Sequence, residues 1–147
     1  MTHVRTLLFA PLLILLLAVQ AWPALAADWV LVANTKAGVA HLSQDEVINI
    51  YLGRYRRLAS GVTAEPIDQP ADSALKAHFY RHLVDKSLPE INAYWARLVF
   101  SGKTQPPRIA SNSEEAIQFV LSHPGALAYV ERSKALGRVV VVFEMPE

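Results

Sequence analysis

The stretch from Leu42 to Gly53 constrains this chain more than any other. Ser43 and Glu46 stand three residues apart, the spacing of a capping box. Val47, Ile48, Tyr51 and Leu52 then fall on one apolar helical stripe, and Gly53 supplies the left-handed stop. Trp29 to Ala33, before this helix, is a short apolar run suited to a strand buried on both faces. Ala64 to Asp68, after it, reads as a second strand. A strand, a helix and a strand in that order imply a crossover unit and a parallel sheet.

The remaining segments extend that unit. Leu75, Phe79 and Leu83 form the core stripe of a second helix. Ser87 and Glu90 make another capping box, with Pro89 in the first turn, where its missing amide does no harm. The helix they open is expected to bury Ile91, Tyr94, Trp95, Leu98 and Val99 and to stop at Gly102. Ser111 to Glu114 starts a fourth helix with Ile117, Val120 and Leu121 as its apolar face. Ala126 to Val130 and Arg138 to Phe143 read as two more strands. The expected fold is α/β, a small, mainly parallel sheet of about four strands flanked by about four helices.

Residues 1–26 stand apart. Arg5 is followed by an apolar run from Leu7 to Val19 and a small-residue ending at Ala24-Leu25-Ala26, the pattern of a cleaved secretory signal. A single α/β domain over residues 27–147 is expected to remain, periplasmic or secreted and not membrane-spanning. Without Arg5 the chain carries 13 Lys plus Arg against 13 Asp plus Glu, a balance that does not call for nucleic acid. Zero cysteines exclude disulfides and thiolate metal sites, so the core alone must hold the domain.

Catalytic and cofactor motifs fail on spacing. Ser101-Gly102-Lys103-Thr104 resembles the end of a phosphate loop, but Arg97 stands where the first glycine is needed. His78 and His82 share a helix face, yet no third ligand lies near them in sequence. There is no Gly-x-Ser-x-Gly elbow. The expectation is a non-enzyme without a cofactor. Asp72-Ser73 is more informative, because it opens a helix directly after a strand. The serine hydroxyl and the first amides, of Ala74 and Leu75, read there as an anion cradle or as an ordinary helix cap. Arg54, Arg56 and Arg57 form a basic loop that reads as a possible second anion contact or as a solvated turn.

Several of these segments also resemble one family in order. Leu42-Ser43-x-Asp45-Glu46-Val47-x-x-Ile50-Tyr51-Leu52-Gly53 is followed by Pro66-Ile67-Asp68, Phe79-Tyr80-Arg81 and Tyr94-Trp95. Pro124-Gly125-Ala126-Leu127-Ala128-Tyr129-Val130 completes the series. The set resembles the phosphate-type periplasmic substrate-binding proteins, of the type II periplasmic binding protein kind, here as a short, single-lobe form. The resemblance implies a small oxyanion such as phosphate as ligand, and an ABC transporter or another periplasmic protein as partner. An accessory interaction domain that keeps the fold without a ligand is the alternative. Aligned on Phe79, the family's oxyanion-binding arginine falls on Gln69, and its Ser-Gly-Thr run falls on Ser73, Ala74 and Leu75. Only the serine matches. Leu58 stands near the place of the tryptophan expected after Gly53. The resemblance thus implies a site at Gln69, Asp72, Ser73, Ala74 and Leu75 with weak oxyanion binding.

Overall fold

The computed structural model describes residues 28–135 and 137–144, so the expected export segment lies outside the described residues. The elements in chain order are β1 (Trp29–Ala33), α1 (Gln44–Tyr51), β2 (Glu65–Asp68), α2 (Ala74–Val84) and α3 (Leu88–Phe100). They are followed by β3 (Arg108–Ile109), α4 (Ser113–Ser122), β4 (Ala126–Glu131) and β5 (Val140–Glu144). The fold is α/β, with a five-stranded sheet in the order β3-β2-β4-β1-β5. β2 runs parallel to both of its neighbours, and β1 runs antiparallel to both of its own.

The sheet separates two apolar layers. On one face, Trp29, Leu31, Leu127, Tyr129 and Phe143 meet α1, α2 and α3, with the rings of Phe79 and Tyr129 stacked at 3.8 Å between centroids. On the other, Val30, Val32, Ala126, Ala128 and Val130 meet Ala116, Ile117 and Val120 of α4. Alternate residues of β1 therefore enter different cores, and all five are buried, as a doubly covered strand requires. The helix starts agree with the capping chemistry. Ser43 and Glu46 bond reciprocally, and the Ser87–Glu90 pair repeats the arrangement on α3.

Three details differ from the sequence reading. α1 leads from β1 towards β2, but β4 lies between the two strands, so they are not a paired parallel crossover. The polypeptide returns late to insert a strand that is parallel to β2 and antiparallel to β1. β3 is a two-residue strand to which the sequence reading assigned no element. Finally, α3 packs mainly on α2, so a narrower stripe of it is covered. Ile91 and Trp95 are buried, Tyr94 and Leu98 half-buried, and Val99 exposed; Leu121 on α4 is exposed as well.

The sheet directions decide where a site can form. β2 and β3 run parallel and lead at their carboxyl ends into α2 and α4, so both helices begin at one end of the sheet. The loop from Leu52 to Ala64 lies at the other end, where the Glu65 amide donates to the Gly125 carbonyl at 2.8 Å. Gly125 has no room for a side chain there. A Cβ would stand 1.8 Å from the Thr63 carbonyl oxygen.

Candidate functional site

At the carboxyl end of β2, Asp68 is buried and makes four contacts. Its carboxylate takes the Lys76 ammonium at 2.9 Å, the Tyr80 hydroxyl at 3.1 Å, the Tyr129 hydroxyl, and the Gln69 amide at 2.9 Å. A buried carboxylate needs such a set, because each unsatisfied lone pair there costs free energy. Burial, and then the Asp68 charge, push the hydroxyls of Tyr80 and Tyr129 well above the ordinary tyrosine range. Lys76 is turned inward by this pairing, so its charge is neutralised inside rather than offered to solvent.

Gln69 is buried as well. Its Nε2 donates to the Ser113 Oγ at 3.1 Å and to the Tyr129 carbonyl at 3.0 Å. The side chain thus ties the start of α4 to β4. Ser73 caps α2, and its Oγ accepts the Lys76 amide at 3.3 Å. The amides of Ala74 and Leu75 make no hydrogen bond among the described residues. Asp72 and Ala74 are exposed, and the Leu75 side chain enters the core.

Gln69, Asp72, Ser73 and Leu75 line one shallow groove of about 270 Å³, together with Ser113, Glu131 and Lys134. The predicted residues are therefore brought together, at the converging amino ends of two helices, where partial positive charge accumulates. The groove's ionic lining is Asp72, Glu131 and Lys134, with no arginine. Burial raises the affinity of Glu131 for a proton, but the neighbouring Ser113 hydroxyl, its own amide and the Lys134 ammonium outweigh it, so Glu131 stays charged. A carboxylate of the chain itself thus lines the groove that an incoming anion would enter.

The basic loop is placed elsewhere. Arg56 donates to the Lys103 carbonyl at 2.9 Å, Arg57 to the Gly61 carbonyl at 2.9 Å, and Arg54 to the Asn49 side chain at 3.4 Å. All three lie at the amino end of β2, the opposite end from Ser73. Sequence reasoning missed Ser113, Glu131 and the Asp68 cluster. Lys76 and Tyr80, one turn apart on α2, were the available signal for the last of these, since both face inward. His78 and His82 stack on the surface, and no group of three potential metal ligands occurs among the described residues.

Two solved structures match this architecture. One is described as a phosphate ABC transporter substrate-binding protein from Clostridium perfringens, solved with bound phosphate. It has a TM-score of 0.62 and 16% identity over 78% of this chain and 44% of that chain. The other is an ABC-type phosphate transport receptor from Vibrio cholerae, with a TM-score of 0.63 and 12% identity over 78% of this chain and 45% of that chain. The fold is that of a substrate-binding-protein lobe. The chain spans less than half the length of the solved structures it matches. No protein-family model and no curated protein matches it.

Proposed function

We propose that this chain is an exported, non-enzymatic module of the substrate-binding kind, which takes a small oxyanion such as phosphate weakly and serves an ABC transport system. The observation that carries the reading is the groove at Ser73, where a hydroxyl and the unbonded amides of Ala74 and Leu75 open a helix directly after a strand. Such amides favour an anion without any side-chain charge. Gln69 in place of an arginine, beside Asp72 and Glu131, accounts for the weakness. Each lost hydrogen bond to a charged group removes about 1.5–3 kcal/mol, so a lost pair weakens binding on the order of a hundredfold or more.

The alternative is an accessory domain that keeps the fold and binds protein instead. Two observations favour it: Gln69 is engaged internally, and the chain places its own carboxylate, Glu131, in the groove. Titration calorimetry with inorganic phosphate separates the readings. Weak, saturable heat that strengthens in Gln69→Arg combined with Leu75→Thr supports the binding module. Absence of heat in wild type and double variant supports the accessory domain, and sub-micromolar binding by the wild type overturns the weak site.

A further inference from the structure

At the amino end of β2, opposite the Ser73 groove, lies a cleft of about 420 Å³. Arg56 and Lys103 supply its charge, and Ile50, Trp95 and Pro107 contribute apolar walls, with Tyr55 at its rim. No carboxylate lines it. The segments that line it, Ile50 to Pro66 and Trp95 to Pro107, contain five Arg or Lys residues and one acid, Glu65, which is not in the lining. In a chain of formal net charge +1, that is a strong local segregation.

The cleft is built rather than incidental. Arg56 is held by the Lys103 carbonyl at 2.9 Å, which joins the two loops and leaves most of its five N–H donors for another acceptor. Gly53, at φ +71°, lets Trp95 and Thr104 close on the backbone, since a Cβ there would stand 2.8 Å from the indole ring. Trp95 is only 7% exposed, and its Nε1–H is buried with no acceptor. A buried donor without a partner is uncommon, and it marks a place where negative charge nearby is favourable.

We infer that this cleft binds a small organic carboxylate, with Arg56 and Lys103 holding the carboxylate and the Trp95–Ile50–Pro107 walls covering an apolar body. A guanidinium fork matches a carboxylate's two oxygens. The apolar walls select an organic acid over inorganic phosphate, which has nothing to cover them. The site is independent of the Ser73 groove and does not rest on the proposed oxyanion function.

The test follows the Trp95 indole N–H resonance during titrations with benzoate, hexanoate and inorganic phosphate. Benzoate or hexanoate should shift it saturably, and phosphate should not. Arg56→Gln should weaken that binding about tenfold or more, the factor that one charge-assisted hydrogen bond supplies. Lys103→Gln should weaken it less, because Lys binds as a point charge. Both side chains are exposed, so each variant should keep the wild-type spectrum elsewhere. Ser73→Ala should bind both carboxylates like the wild type. The inference falls if neither carboxylate saturates, if Arg56→Gln binds them equally well, if phosphate shifts the resonance as strongly, or if Ser73→Ala abolishes the effect. Those outcomes leave phosphate binding at Ser73 untouched, and a failure at Ser73 leaves the cleft untouched.

Discussion

The two ends of β2 carry opposite arrangements of polar chemistry. At the carboxyl end, Asp68, Lys76, Tyr80, Tyr129, Gln69 and Ser113 bond to one another, and the remaining groove holds two carboxylates and one lysine. At the amino end, Arg56 and Lys103 line an open cleft with no acid in its lining, and the Trp95 that walls it has a buried, unpartnered indole N–H. The fold by itself points to the carboxyl end, where open α/β sheets receive ligands. In this chain the buried side chains of Asp68 and Lys76, and of Gln69 and Ser113, bond to one another there. The Ala74 and Leu75 amides and the Glu131 Oε2 stay unpartnered in a groove that holds two carboxylates. The comparison teaches that a fold names the usual place for a site, while leftover donors and unbalanced charge decide which place still has something to offer.

The strongest way to test this contrast is alkaline titration. Tyr51, Tyr80 and Tyr129 are all raised, first by burial and then by the Asp68 charge. In the unfolded chain they ionise near 10.0, whereas in the folded chain they remain neutral there. Stability from them is therefore fully present below about pH 10 and is lost as pH rises above it. Each contributes a slope of about 1.4 kcal/mol per pH unit, so the three together give about 4. Phenolate absorbance should rise in step with loss of circular dichroism. Early phenolate signal from a folded protein would mean the carboxyl end is open to solvent.

Substitutions extend the test to each end separately. Asp68→Ala strands Lys76 in the interior and should cost about 3–5 kcal/mol in urea denaturation. Asp68→Asn, which keeps an acceptor for the tyrosines, should cost less. Trp95→Ala empties the floor of the amino-end cleft and should also cost about 3–5 kcal/mol, because that floor is part of the core. An unchanged melting temperature would detach the cleft from the core.

Smaller effects probe charge. Glu131→Gln removes one negative group from the carboxyl-end groove and should tighten phosphate binding about fivefold, the effect of about 1 kcal/mol of relieved repulsion. Unaltered calorimetry would remove Glu131 from the account of weak binding. Arg56→Gln should leave stability within about 0.5 kcal/mol, since its side chain is exposed. A larger loss would show that the Arg56–Lys103 contact holds the loops in place rather than awaiting a ligand.

Much of this was legible in the sequence. Capping residues placed α1 and α3, and the Leu75–Phe79–Leu83 spacing placed the core face of α2, because those signals depend on neighbours within one turn. Strand order was not legible. No local feature of Ala126 to Val130 says that it will separate β1 from β2. Ser73, Gln69 and Leu75 could be grouped from the sequence, since all follow one strand, and they line one groove. Glu131 and Ser113 were missed because they come from distant elements that converge only in the folded chain. The arginine loop showed its charge in the sequence but not which end of β2 it occupies.

The central position of β1 has a further consequence, which concerns time rather than geometry. Trp29 pairs with Glu131 and Val30 with Glu144, so β1 waits for β4 and β5, which follow it far along the chain. Neither core layer can close before β4 exists, and contacts so distant along the chain form slowly. Until β4 exists, the five apolar residues of β1 lack a partner strand and are exposed to aggregation. The chain thereby carries a delay written into the order of its strands. Moving β1 to the carboxyl terminus by circular permutation would shorten that delay and should speed folding.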